Sequence, residues 1–399
     1  MKPAILCGVL LAAGAAPILA AGWTDRGEYD LALAIRVEAA PQKQLALLDQ
    51  WKSRYPHSAL RQARRELYLA AYYSLGDRVG MLDTAQEMLT DQRDDLVGAY
   101  WGVTLIPGAK NPSRELWDIG EAAANRLLAP LPAGGEWQKE KDSLAWLAHR
   151  VLGWIQWQRG NYPAAEAEFA TCLAKDPKNA EISAWFGMAL ADQKSPEKVV
   201  PALWLLARAG SLKGEGALPD EQRRQMNGLA ERIYISYHGS TDGLDRLRSE
   251  SLASAVSPAD FRIESAAAVA ARKADEELRR TNPQLATWMS IRKQLEGPDG
   301  DKYFAETLRP APLPKLKGSV IRCAPERKPT EVGLGLSGGS AEEVVLMVHP
   351  ALPFAAVTGT EIEFEGMADS YSRGPFRLTV KVDKEKITGW PQKPAPHRR

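Results

Sequence analysis

The feature that most restricts what this chain can fold into is a pattern of small and large side chains that recurs over two consecutive stretches of 34 residues. The first stretch, Trp146 to Asn179, reads as two helices joined by Arg159-Gly160-Asn161. In the first helix Leu152 faces inward, and Gly153 beside it lets the partner helix approach, because a Cβ there would hold the two backbones apart. In the second, Ala165, Phe169 and Cys172 follow at spacings of four and three, which place them on one face. Asp176-Pro177 closes the unit, since proline cannot continue a helix and biases its predecessor away from helical angles. The next stretch puts Phe186-Gly187 where Leu152-Gly153 stood, with Val199, Leu203 and Leu206 on its second helix.

The spacing of Leu152, Gly153, Gly160, Tyr162, Ala165, Phe169 and Pro177 resembles the 34-residue tetratricopeptide repeat. Gln156 departs from the usual aromatic of that pattern. Upstream, Gln62 to Asp95 gives the same frame with Leu69, Tyr72, Gly76, Met81, Ala85 and Met88, and Arg93 stands in place of the closing proline. Leu45, Leu48 and Trp51 before Tyr55-Pro56 resemble the end of another unit. Between these blocks helices are expected from about 95 to 104 and from 113 to 128, parted by Pro107, Gly108 and Pro112, with a loop over 130–135. Downstream the patterning continues through 219–238, 241–254 and 265–296. Asn282-Pro283 opens the last helix as cap and first-turn proline, with Leu285, Trp288, Met289 and Leu295 as its apolar stripe. The resemblance implies a mainly α chain with a helical-hairpin solenoid of about seven hairpins over 22–296, since several stacked units are needed to bury one continuous core.

After Gly297-Pro298-Asp299-Gly300 and a linker extending to Pro314, alternation replaces helical periodicity, and Val, Ile, Thr and Phe replace Ala and Glu. Five strands are expected within 315–390: Lys317 to Cys323, Thr330 to Leu336, Glu342 to Val348, Thr360 to Met367 and Phe376 to Val382. Thr360-Glu361-Ile362-Glu363-Phe364-Glu365 alternates strictly, so Ile362 and Phe364 face a core and the glutamates face water. Five short antiparallel strands can close into a small barrel, of which an OB-like barrel is one solution. A proline-rich basic tail, 391–399, follows. The layout as a whole resembles exported tetratricopeptide proteins of acidobacterial type, through Tyr237-His238-Gly239-Ser240, Asn282-Pro283-Gln284-Leu285-Ala286 and Gly359-Thr360-Glu361-Ile362-Glu363-Phe364-Glu365-Gly366.

At the N-terminus Met1-Lys2 precedes an apolar run from Ala4 to about Ala20 that ends in small residues, the pattern of a signal peptide over 1–21. A periplasmic or secreted location is therefore expected. Cys7 lies too near the start of the run for a lipidation site. Removing the leader takes only Lys2 among the charged residues, leaving 50 basic and 50 acidic side chains and no net charge to draw nucleic acid or anionic lipid. No second apolar stretch is long enough to span a membrane. Cys172 and Cys323 alone remain in the mature chain. Cys172 reads as a buried thiol, and a bridge between the two would join two domains.

Motifs for chemistry are sparse. His57, His149, His238, His349 and His397 are scattered singly, and none has a metal-binding spacing. His238 beside Ser240 lacks the surroundings of an activated nucleophile and reads as a helix-ending histidine. The run Gly333-Leu334-Gly335-Leu336-Ser337-Gly338-Gly339 superficially resembles a phosphate loop but lacks the following Lys-Ser/Thr and leads into a strand, so a hairpin turn is expected. Asp299 and Asp301 lack the companion ligands of a calcium loop and read as solvated linker residues. No cofactor or metal is expected, and no catalytic activity.

What the resemblance implies is a binding surface, because the first helix of each tetratricopeptide hairpin lines the concave side. Its non-core positions are Arg150, Trp154, Trp157 and Gln158 in the clearest repeat, Glu66 and Tyr73 in the earlier one, and Met188 and Asp192 in the next. Aromatic and arginine side chains are favoured at binding hot spots, though the same side chains can instead pack against the neighbouring hairpin. The expected function is an interaction scaffold for a peptide or protein of the cell envelope. Two other readings are a carbohydrate- or peptidoglycan-binding envelope protein, suggested by the twelve tryptophans, and an enzyme whose groups converge only in space.

Overall fold

The computed structural model describes residues 25–391; the expected leader, and all but the first residue of the expected tail, lie outside them. The chain forms two compact units that divide between Ala266 and Ala267. Among the described residues the first unit contains thirteen helices: α1 (Arg26–Val37), α2 (Pro41–Arg54), α3 (Arg61–Leu75), α4 (Arg78–Asp91), α5 (Leu96–Leu105), α6 (Arg114–Leu128), α7 (Glu136–Lys139), α8 (Lys141–Gln158), α9 (Tyr162–Lys175), α10 (Ala180–Asp192), α11 (Pro196–Ser211), α12 (Asp220–His238) and α13 (Leu244–Glu250). Apart from the short α7, α1 to α11 each pack against the next helix along the chain, α11 also packs against α13, and α8 also touches α10, while α12 meets α13 through the Glu231–Arg248 ion pair, so helix pairs stack in sequence order. The unit holds six such pairs where about seven hairpins were expected, because the last expected pair belongs to the second unit.

The small-residue positions act as the sequence requires. A Cβ on Gly153 would lie 2.7 Å from the Phe169 ring, and one on Gly187 would lie 2.8 Å from Leu206 Cγ. Ala165, Phe169 and Cys172 are fully buried, as their spacing demands. Both Cys172 and Cys323 are free thiols, and burial pushes the Cys172 thiol up to about 12.

The turn between paired helices repeats as well. At the fifteenth position of the three frames stand Gly76, Gly160 and Lys194, with φ of 69°, 74° and 53°. In the first two, a doubly bonded C-cap closes the helix: Gly160 N–H donates to Trp157 O and Asn161 N–H to Gln156 O, as Gly76 does to Tyr73 O and Asp77 to Tyr72 O. This is the glycine-terminated cap that satisfies the last carbonyls. Lys194 holds the same left-handed conformation with a Cβ, at a cost of about 1–2 kcal/mol. Lys194→Gly is therefore expected to raise the unfolding free energy by ~0.5–1 kcal/mol, after subtracting the extra chain entropy of glycine. A lower urea midpoint would show that the lysine side chain contributes more than the backbone strain removes.

The second unit contains α14 (Ala266–Thr281, which starts at the division), α15 (Pro283–Glu296), α16 (Gly300–Tyr303) and seven strands: β1 (Leu316–Ala324), β2 (Glu331–Gly335), β3 (Val344–His349), β4 (Glu361–Phe364), β5 (Met367–Arg373), β6 (Phe376–Asp383) and β7 (Ile387–Thr388). The strands lie in the order β5-β6-β3-β2-β1-β4-β7. This corrects the expected antiparallel barrel of five strands. β3 and β6 pair in parallel, from Val344 with Leu378 to His349 with Asp383, so the sheet is mixed. Its two ends, β5 and β7, do not pair, so the ladder is open.

The sheet nevertheless curls strongly. Only Glu365 and Gly366 link β4 to β5, a reach of roughly 11 Å, whereas a flat sheet would hold these strands five spacings, about 24 Å, apart. The link also passes close over β6. A Cβ on Gly366 would lie 2.4 Å from the Lys381 carbonyl oxygen, so glycine is required there.

Within the curl, Val320, Val332, Leu334, Leu346, Phe364, Leu378 and Val380 form one core. The stripe read as the close of the solenoid packs into it instead: Trp288, Ile291 and Leu295 of α15 are buried, and the Trp288 ring meets Phe376 edge-on at 5.9 Å. Met289, placed in that stripe by periodicity, is 44% exposed. Segment 297–314 is more than a linker, since it contains α16 and buries Leu308 and Leu313 in the same core.

Candidate functional site

Arg150 and Trp157 lie on α8, two turns apart, and each engages α10 of the following pair. Arg150 Nε donates to Glu181 Oε2 at 3.0 Å, and its guanidinium sits 4.8 Å from the centre of the Trp185 ring. Trp157 Nε1 donates to Asp192 Oδ2 at 2.8 Å. The first helices of adjacent pairs are thus braced by a cation–π contact, a salt bridge and an indole–carboxylate bond, each worth about 0.5–1 kcal/mol when partly exposed. Arg150 is occupied in this brace, its side chain only 14% exposed. Asp192 keeps an exposed carboxylate, Gln158 is exposed, and Met188 is half-buried.

Trp154 departs from the expectation. It is 7% exposed and packs in the same cluster as Leu144, Leu147, Ala148 and Val151. A helix with apolar residues on most of its circumference has no polar side by which periodicity could tell an indole in the core from one in the groove.

At the earlier frame, Tyr73 is 50% exposed, its ring 5.9 Å from that of Trp101. Glu66 holds the fifth position of its frame, the place of Arg150 in the later one, but its surroundings are acidic. Asp95 caps α5 through a bond from Gly98 N–H and accepts a second from Gln62 Nε2, both at 2.5 Å. Burial pushes the Glu66 carboxyl up to about 7, reinforced by the Asp95 charge and partly offset by a hydrogen bond from Gln62. Burial also raises Asp95. Glu66 therefore takes up its proton near neutrality instead of in the acid range of an ordinary glutamate.

The consequence for stability has a definite sign. Below the ordinary glutamate value of 4.5 the carboxyl is protonated in folded and unfolded chains alike. Between 4.5 and about 7 the unfolded chain loses the proton first, so stability falls as pH rises. Glu66→Gln should raise the unfolding free energy at pH 8 by ~2 kcal/mol, allowing for solvent screening of a partly exposed group, and change little at pH 4. Urea denaturation across this range checks it; equal gains at both pH values would refute the assignment.

The structure thus places the eight positions in separate settings: Arg150 with Glu181 and Trp185, Trp157 with Asp192, Glu66 with Gln62 and Asp95, Tyr73 on Trp101, and Trp154 in the core. Sequence reading missed Glu181, Trp185, Gln62 and Asp95. Asp95 alone carried a signal, as a capping residue before Leu96. A cavity of about 320 Å³ in this unit is lined by Leu89, Thr90, Arg93, Glu115, Asp118, Ile119 and Ala122, none of them among the eight.

The remaining motifs resolve structurally. His238 ends α12 and its Nδ1 contacts the Glu264 carbonyl at 2.7 Å, while Ser240 Oγ donates to Asp242 Oδ2 at 2.9 Å, so the two engage different partners. Asp301 is solvated as expected, its side chain 84% exposed, and there it accepts from the Tyr371 hydroxyl and pairs with Arg373 at 3.3 Å. In the glycine-rich loop, Leu336 N–H and Ser337 N–H converge on Glu343 Oε2 at 2.8 and 2.7 Å, and Ser337 Oγ donates to Oε1 at 2.8 Å. The loop does cradle an anion, and the anion is the chain's own carboxylate.

Among the described residues, no group of three or more His, Cys, Asp or Glu could hold a metal ion, and no helix is long and apolar enough to cross a membrane. Comparison of the chain with protein-family models, curated proteins and solved structures finds no match.

Proposed function

We propose that the protein is an exported interaction scaffold, whose stacked helix pairs bind a peptide or protein of the cell envelope along the face made by their first helices. The observation that carries this reading is the brace between α8 and α10: Arg150, Glu181, Trp185, Trp157 and Asp192 fix two first helices together and leave polar groups of Gln158 and Asp192 facing outward. A surface held rigid by its own side chains loses little entropy when a partner docks, which is the condition under which a modest contact area binds well. The tetratricopeptide resemblance supplies the same face and the same occupant, an extended or helical segment. Tyr73, half-exposed on Trp101, extends the aromatic character of that face to an earlier pair.

The test uses the outward positions, because truncating buried Trp154 would cost about 3–5 kcal/mol and confound binding with unfolding. A photoreactive residue at Gln158 or Asp192 is expected to give discrete adducts in an envelope preparation, and one at Lys175 on α9 is expected to give none. Equal labelling from both faces, or no adduct from either, would sink the assignment.

A further inference from the structure

The outer face of the curled sheet carries two adjacent rows of side chains that no role described above uses. β3, β6 and β5 bring Met347, Lys381 and Met367 into one row by direct register. One step along, His349 pairs with Asp383, and Glu365 adjoins them in the β4–β5 link. These six residues line a single cavity of about 770 Å³, with Thr330, Gly366 and Lys386 at its margin. Met347 is 42% and Met367 39% exposed, in a unit whose other strand methyls and rings are almost all buried.

The two lysines of the cavity are already matched. Lys381 Nζ is held by Asp369 at 2.6 Å and Lys386 Nζ by Glu365 at 3.3 Å. Of the six cavity residues, the His349 imidazole, the Met367 and Met347 thioethers and the Asp383 carboxylate beside His349 remain without a hydrogen-bond or ion-pair partner among the described residues. Met347 and Met367 stand two strand spacings apart, roughly 10 Å between α-carbons, a gap that two unbranched side chains with three rotatable bonds close by leaning over the Lys381 stem. His349 stands on the same face of β3, two residues beyond Met347.

From this juxtaposition we infer that the outer face of the sheet is a binding site for a soft monovalent cation, Cu(I) or its analogue Ag(I), held by the Met347 and Met367 sulfurs and the His349 imidazole. Thioether and imidazole donors are neutral and polarisable, and they select Cu(I) over hard or borderline divalent ions. Zinc and calcium would need three or more anionic or imidazole donors, and no such group converges among the described residues. A neutral ligand set suits a singly charged ion, and the Asp383 carboxylate beside His349 supplies one negative charge next to it.

The experiment is competition of the full chain against a chromophoric Cu(I) chelator under anaerobic reducing conditions, with Ag(I) titrated in parallel against chain carrying ¹³C-methyl methionine. The expected result is one Cu(I) retained per chain, with the methyl resonances of Met347 and Met367 alone shifting on Ag(I). Met347→Leu with Met367→Leu, a pair of substitutions that conserves volume, should weaken retention at least tenfold while circular dichroism stays unchanged, and His349→Ala should weaken it as well. The proposal is overturned if no Cu(I) is retained, if the double variant or His349→Ala binds as tightly as the parent, or if Zn(II) displaces Ag(I) at equal concentration. It is also overturned if retention disappears only in Cys7→Ser or Cys323→Ser, which would assign the metal to a thiol.

Discussion

Arg208→Met is expected to lower the unfolding free energy of the helical unit by about 3 kcal/mol, as read by urea denaturation at neutral pH. Arg208 lies on α11, is 3% exposed, and has no carboxylate partner in its hydrogen bonds. Its two terminal nitrogens donate to Ser251 O at 2.6 Å and Pro177 O at 2.7 Å, carbonyls just past the ends of α13 and α9. The buried charge is balanced by the negative poles of two helices instead of by an acid. Burial pulls the guanidinium below its ordinary value, yet arginine stays protonated because that value starts so high. Methionine would fill the space and leave the buried Ser251 carbonyl without a donor. Arg208→Lys, which can reach only one carbonyl, should fall between the two. A loss below about 0.5 kcal/mol for Arg208→Met would mean that water replaces the guanidinium at no cost.

Glu343→Ala should destabilise the second unit by about 3–5 kcal/mol, the usual result of stripping one partner from a buried charged pair. Three donors from the glycine-rich loop and Arg292 Nη1, at 2.7 Å, converge on this carboxylate, whose side chain is 8% exposed. Burial alone would raise the carboxyl, but the bonds from Ser337 and Leu336 and the Arg292 charge outweigh it and hold it below its ordinary value. A carboxyl lowered on folding contributes stability at pH above the unfolded value of 4.5, and that contribution is lost as pH falls through the lower folded value. The variant should therefore differ most from the parent at neutral pH and least in strong acid. Thermal denaturation followed at the Trp288 and Trp390 signals would read it; a midpoint within about 2 °C of the parent would show that the loop is held by its own turns.

The helical part of this fold was legible because its signals are local. Glycines at Gly153 and Gly187, the turn at Gly160 and the face Ala165, Phe169, Cys172 each act over a few residues, and the helices fall where those signals put them. Long-range facts were not legible in the same way. The stripe on α15 was read correctly as apolar, but apolarity does not name a partner, and Trp288 packs on Phe376. β5 escaped because Met-Ala-Asp-Ser-Tyr-Ser-Arg at a sheet edge buries little, with only Ala368 inside. Alternation gave β3 and β6 their faces and said nothing of their direction, so the parallel pair was unforeseen. In the candidate site, Arg150 and Asp192 were placed on the right helices, and their use as braces depended on Glu181 and Trp157 one repeat away. Lys194 hid a left-handed turn because its side chain gives no hint of it.

The two-residue link between β4 and β5 bears on how the chain reaches this fold. Neighbouring helix pairs in the first unit close short loops, and such contacts assemble quickly. The sheet cannot grow by adding strands in order, since β4 and β5 are consecutive along the chain and stand near opposite ends of the ladder. The pairing of Val344 with Leu378 must wait until the chain between them has travelled around β1 and back. During that interval the β3 edge, rich in valine and leucine, is unpaired and open to other chains. Nascent protein is most exposed to aggregation in its last third.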